Sequence, residues 1–297
     1  MSNNWENKYV EVNGIKTHYI EAGQGDPLIL IHGGGATSCA QVNYGDVIPY
    51  LSKHFRVIAP DVVGFGLTPG RGPQDYSAKA HGDHLIGLIE TLDLTNFHIG
   101  GNSHGGWLCQ YVAHERPNLI NCLIIINSLN GTYGIPPEPE GLKYVYGPQG
   151  HSHPIPSLET VKASLSKLYY NQELVTDSRV KMVYDVAQRN HEFARERVKA
   201  LHMTVDSTNE DLSYKGKHIS EYAHEFKMPV ILPWGRDDTS MRPEGGYYCE
   251  YGWKFYSKLQ DAEMHVFPRA KHHVMADQSK RWSEVVTSFL KSNSNSL

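Results

Sequence analysis

"HIGGNSHGGWL", residues 98–108, sets one serine between two pairs of glycines, directly after an apolar run and ahead of a helical pattern. Gly101-Asn102-Ser103-His104-Gly105 fits G-x-S-x-G, and its place between strand and helix is the context that gives the pattern meaning. A side chain held out at a sharp strand-to-helix turn needs strained backbone, and glycines on either side leave room where Cβ atoms would collide. Read this way, Ser103 is a nucleophile on an elbow. The same glycines would also suit an ordinary strand-helix turn or a phosphate-binding loop, so the surrounding chain has to decide.

Upstream come short β-rich runs: KYVEVNG (8–14), IKTHYIEAG (15–23), PLILIHG (27–33) and FRVIAPD (55–61). The first two alternate and meet at Asn13-Gly14, a hairpin signal, whereas the next two are continuous apolar runs that suit strands covered on both faces. A helical pattern from about residue 76, the strand FHIGG, the helix GGWLCQYVAHE stopping at Pro117, and the strand CLIIINS (122–128) then alternate. Strands return at MPVILPWG (228–235) and AEMHVFP (262–268), before the helix SKRWSEVVTSFLKS and a polar tail. The predicted class is α/β: a mostly parallel sheet flanked by helices, with an antiparallel lead-in. Between the halves, 131–156 is rich in Gly, Pro and Tyr, and 157 to about 226 reads as charged amphipathic helices without a strand pattern. The expected division is a core of 1–130 and 227–297 with a helical cap, 131–226, inserted in it.

A nucleophilic serine needs a donor set for the developing oxyanion, a base, and an acid to orient the base. His32-Gly33-Gly34-Gly35 follows a strand, and a glycine run presents backbone N–H groups without side-chain obstruction; Gly34 and His104 are the candidate oxyanion donors. In this arrangement the acid and then the histidine follow the serine in chain order. The strand MPVILPWG ends in Gly235-Arg236-Asp237-Asp238, and AEMHVFP runs into Arg269-Ala270-Lys271-His272-His273. Loops at the ends of sheet strands are where such groups converge, which makes His265, inside its strand, unsuitable. The residues alone leave Asp237 or Asp238, and His272 or His273, open.

Composition narrows the rest. Net charge is −4 with both signs interspersed, so neither nucleic acid nor a strongly basic partner is indicated. No run approaches a membrane span and MSNNWENKYVEVNG lacks a charged n-region followed by an apolar core, while Cys39, Cys109, Cys122 and Cys249 are scattered as free thiols would be. A cytoplasmic protein with a small-molecule substrate is expected, and a homodimer is compatible with it. His151-Ser152-His153 and the pair at 272 and 273 are the close histidine groupings of the 17 histidines, HExxH is absent, and GFGLTPG (64–70) misses dinucleotide spacing; no metal and no cofactor is expected.

With these residues in place, the chain resembles the α/β-hydrolase superfamily over essentially its whole length, and within it the carbon–carbon bond hydrolases that act on meta-cleavage products of aromatic degradation. The echoes are HGGG (32–35) followed by Asn43, DVVGFGLT (61–68), GNSHGG (101–106), WGRDD (234–238) and the closing loop and helix. The resemblance implies Ser103, Asp238 and His272 as the triad. It also implies Gly35, Asn43, Asn102 and His273 as substrate-lining residues. Two departures stand out: Lys271 and His273 replace a glycine and an aromatic beside the histidine, and Val183 falls where such proteins carry a cap arginine, with Arg179, Lys181 and Arg189 nearby. The loop after Asp238 is longer than the resemblance leads one to expect and brings Tyr247, Tyr248 and Trp253 near the acid. Cap tyrosines 144, 146, 169, 170 and 184 suit packing or an aromatic-friendly cavity. Cleavage of a C–C bond beside a ketone is the expected activity, with ester or lactone hydrolysis by the same triad, or a hydrolase-like receptor, as alternatives.

Overall fold

The structure, a computed structural model, describes residues 5–128, 156–204, 213–215, 217–239 and 249–294. Its first two strands, β1 (Glu6–Val12) and β2 (Ile15–Ala22), pair antiparallel. They are joined where Asn13 and Gly14 both take positive φ, 51° and 76°, as a two-residue hairpin turn requires. The apolar runs follow as β3 (Pro27–Ile31), β4 (Arg56–Pro60), β5 (Phe97–Asn102), β6 (Ile120–Ile126), β9 (Val230–Gly235) and β10 (Ala262–Phe267). The sheet runs β1-β2-β4-β3-β5-β6-β9-β10, parallel from β4 onward.

Alternation along the strands divides the core into two layers. Leu28 and Leu30 of β3 and Cys122, Ile124 and Ile126 of β6 face the helices Ala40–Tyr44, Ile48–Leu51 and Ser279–Asn293. Ile29 and Ile31, with Leu123 and Ile125, face the helices Ala78–Thr91 and His104–Glu115 on the other side. The Ala78–Thr91 helix starts where Ser77 accepts a hydrogen bond from the Ala80 N–H at 3.1 Å. Because β3, β5 and β6 lie side by side and parallel, the residues just beyond Ile31, Asn102 and Ile126 emerge together at one edge of the sheet.

Between the halves, a capping box at Ser157 and Thr160 opens the helix Leu158–Leu168, and a 28-residue helix, Asp177–Thr204, follows. Val161, Leu165, Val180, Val183 and Ala187 close an apolar cluster with Cys39, Val42 and Ala276 of the core. Beyond them lies a feature that the charged pattern concealed: a two-strand hairpin, β7 (Ser213–Tyr214) and β8 (Lys217–His218), leading into a 3-10 turn, Ile219–Glu225. Strands of two residues are too short to leave a period in sequence. Tyr214, Ile219, Ala223 and Phe226 pack into the same cluster as Trp107 and Tyr111.

Among the described residues, Arg179, Asp277 and Asn190 centre polar ties between the inserted helices and the rest. Arg179 meets Asp46 through both guanidinium nitrogens, at 2.7 and 2.8 Å. Asp277 accepts the N–H groups of Tyr170, Asn171 and Lys271, each at 2.9 Å. Asn190, fully buried, accepts the Gly66 N–H at 2.8 Å and donates to the carbonyls of Ala36 and Ser38, both at 3.0 Å.

Two stability predictions follow from this packing. Asn190→Ala strands three backbone groups without partners and should cost about 2–4 kcal/mol, read as a lowered denaturant midpoint with unchanged slope. Burial pushes His84, His98 and His114 down from 6.5 to about 4. Their folded form resists protonation while the unfolded chain takes protons from pH 6.5 downward, so their stabilisation is complete above pH 6.5 and is lost as pH falls toward 4. Tm should therefore drop steeply over that window, and His98→Phe should flatten part of the drop.

Candidate active site

Ser103 stands between β5 and the helix His104–Glu115 with φ 54° and ψ −119°, a conformation costly for any side-chain-bearing residue. Hydrogen bonds hold it there. The Ser103 N–H donates to the Ile126 carbonyl at 2.9 Å, and the Ser103 carbonyl accepts from the Gly106 N–H, 2.9 Å, and from the Ser128 hydroxyl. The flanking glycines are steric necessities: a Cβ on Gly101 would land on the Gly105 backbone, and one on Gly105 on the Ile31 carbonyl.

The glycine loop after β3 lies directly on this elbow. A Cβ on Gly33 would stand 3.3 Å from the Ser103 Cβ, and one on Gly34 3.1 Å from the His104 Cβ, so Gly34 and His104 are neighbours. His32 anchors the loop: its Nε2 accepts the Val62 N–H at 2.9 Å, which leaves the hydrogen on Nδ1 to donate to the Gly33 carbonyl at 2.7 Å. Gly35 closes a turn onto Ser38, 2.9 Å. The His104 ring stacks parallel to Trp107 and comes within 3.4 Å of His81 Nδ1 through Nε2.

Of the two aspartates after β9 and the two histidines after β10, the structure pairs Asp238 with His272. His272 Nδ1 meets Asp238 Oδ2 at 2.8 Å, with Asp238 fully buried and His272 nearly so. Asp237 turns the other way, accepting from Arg236 and from the Arg269 N–H. His273 packs edge-on against Tyr169 at 5.2 Å between centroids, and burial pushes it down to about 3, so it is neutral. Its Nδ1 is buried without a hydrogen-bond partner among the described residues.

Asn102 ties serine loop to histidine loop. Its Nδ2 donates to the His272 carbonyl at 3.2 Å and to the Ile126 carbonyl at 3.3 Å, while its Oδ1 accepts from Asn43 Nδ2 at 3.1 Å. Asn43 is fully buried, and its own Oδ1 has no partner.

Other expectations fare differently. Val183 is fully buried in the apolar cluster with Tyr169 and Val42; Arg179 is committed to Asp46, Lys181 to Asp185, and Arg189 is exposed. Trp253 sits on a helix, Cys249–Tyr256, turned 62% to solvent, because Gly252 and Phe255 supply that helix's buried side. Tyr169 is buried packing and Tyr170 is exposed, while Tyr144, Tyr146, His151, His153, Tyr247 and Tyr248 lie outside the described residues. Sequence reasoning passed over Asn127, Asn190 and Asp277. Asn190 left a signal, a polar residue on the apolar stripe of Val183, Val186 and Ala187. Among the described residues no trio of His, Cys, Asp or Glu could hold a metal ion, and no helix is long and apolar enough to cross a membrane.

Known proteins resemble this chain over nearly its whole length. The 2-hydroxy-6-oxo-2,4-heptadienoate hydrolase of Pseudomonas putida F1 is 28% identical over 95% of both chains. The 2-hydroxy-6-oxo-6-phenylhexa-2,4-dienoate hydrolase of Burkholderia cepacia is 26% identical over 98% of both. Among solved structures, the meta-cleavage product hydrolase of Pseudomonas fluorescens IP01 superposes with a TM-score of 0.78 at 27% identity, covering 96% of this chain and 97% of that one. The sequence pattern of the alpha/beta hydrolase fold matches residues 26–278, and with the sheet order and the serine elbow it shows that the chain belongs to the α/β-hydrolase family.

Proposed function

We propose that the protein is a serine-dependent C–C bond hydrolase acting on a 2-hydroxy-6-oxo-dienoate or a related diketone from aromatic degradation. The observation that carries the reading is the buried His272–Asp238 hydrogen bond, roped through Asn102 to a strained Ser103. Relatives named for this substrate class, aligned over nearly the full chain, support it.

In this reading His272 takes the Ser103 hydroxyl proton as Oγ attacks the ketone carbon. Asp238 holds the imidazole with Nδ1–H inward and stabilises its cation. The Gly34 and His104 N–H groups receive the charge gathering on the carbonyl oxygen. Before that step the dienol tautomerises to its keto form, so that when the C–C bond breaks, the departing carbanion is delocalised into a carbonyl and collects a proton. Water, activated by His272, then releases the acyl group from Ser103. The inserted helices cover the substrate, whose polar groups meet Asn43 Oδ1 and His273 Nδ1, two buried atoms that lack protein partners among the described residues. Gly35 and Asn102 complete the wall. Four free cysteines, three of them buried, suit a reducing cytoplasm.

One observation favours a second reading, ester or lactone hydrolysis. The wall at Val183 is apolar, and Arg179 and Lys181 are held in ion pairs, so these side chains offer no cation to a substrate carboxylate.

The two readings separate in one assay. Wild-type protein should bleach a 2-hydroxy-6-oxo-dienoate, and Ser103→Ala should slow that by about 10³-fold or more. If the dienoate stays intact while p-nitrophenyl acetate is cleaved in a Ser103-dependent way, the ester reading replaces the first. Loss of both rates leaves the receptor reading.

A further inference from the structure

The residue after β6 is Asn127, fully buried and held at φ 40°. Its carboxamide reaches the two loops that carry the acid and the histidine. Nδ2 donates to Asp238 Oδ2 at 2.8 Å and leans toward the Lys271 carbonyl at 3.4 Å, while Oδ1 accepts the Gly235 N–H at 3.0 Å. The Asp238 oxygen it reaches is the same one that His272 Nδ1 meets at 2.8 Å. One side chain thus braces the end of β9 and the histidine loop, and it shares the oxygen on which the imidazole depends.

We propose that Asn127 is a positioning residue for the Asp238–His272 pair, which it fixes in place and whose carboxylate charge it partly draws off. The proposal rests on the reading of Ser103, His272 and Asp238 as a triad. The physical sign is definite: a donor on a carboxylate stabilises the anion and weakens its pull on a neighbouring imidazolium. Removing that donor strengthens the pull of Asp238 on the imidazolium. Among the described residues, the other ionisable groups around the histidine loop are His273, 6.0 Å from His272 between ring centroids, Arg179 and Tyr169 from the inserted segment, and Lys271 and Asp277 from the loop itself. Asn127 touches none of these side chains through the contacts described, so its effect runs through Asp238.

Phosphonylation of Ser103 by a fluorophosphonate, followed as rate against pH, tests this without any assumption about substrate. The full-length wild type, Ser103→Ala, Asn127→Gly and Asn127→Ala are compared. Glycine suits the positive φ at this position, and alanine removes the same carboxamide while leaving a methyl in its place. In Asn127→Gly the acid limb should move up by about half a unit to one unit, with labelling below the limb slowed about three- to tenfold. Asn127→Ala also lacks the donor on Asp238 and should move the limb the same way; if the glycine variant does not fold, this variant carries the test. An acid limb that stays put or moves down in the folded variants overturns the proposal, whatever happens to the plateau rate. Wild type that labels no faster than Ser103→Ala, or with no acid limb, sinks the triad reading itself, a result distinct from an unmoved limb in the variants.

Discussion

The left-handed backbone at Ser103 is the constraint around which the molecule is arranged. A positive φ on a serine costs about 1–3 kcal/mol, and it persists only where neighbours over-determine it. Here they do: the Ser103 N–H is fastened to β6, its carbonyl to Gly106 and Ser128, and Gly101 and Gly105 bring strand, helix and the end of β3 closer than any Cβ would allow. The central position of β5, paired on both sides, makes the anchor rigid. Strain at the elbow is thus balanced by sheet pairing that could exist without it.

Around the elbow, buried amides do much of the joining. A fully buried carboxylate such as Asp238 is tolerable only with donors on it, and His272 and Asn127 supply two. Asn102 and Asn43 link the serine to the histidine loop and to the segment beyond the oxyanion loop, and Asn190 reaches from the long inserted helix to the backbone of residues 36, 38 and 66. A carboxamide both donates and accepts without carrying charge, so it can bridge backbone groups of either kind at small desolvation cost. The result is a site whose loops are locked to one another rather than only to the sheet.

Much of this was legible in the chain before any coordinates. The apolar runs named the strands, Asn13-Gly14 named the hairpin, and the glycines on both sides of Ser103 named the elbow, because each depends on local sterics or on a short period. The acid and the histidine were narrowed to two adjacent pairs by their places at strand ends, with resemblance pointing to Asp238 and His272. The solvent-facing side of Trp253 could not be read from the chain, because an amphipathic helix is rotated by what its opposite face buries, and Gly252 and Phe255 face inward there. The hairpin at 213–218 was missed for want of length.

Sequence alone determined the alternation of strands and helices and the need for a bare backbone beside the serine, since both are properties of consecutive residues. Only the tertiary structure decided that Asp238 rather than Asp237 meets His272, that His273 is buried against Tyr169, and that Asn127 shares the acid's oxygen. Those choices turn on which way a loop leaves a strand and which side chain lies across it. Such partners are separated by 34 to 144 residues, and their meeting is fixed by the packing of the whole sheet edge.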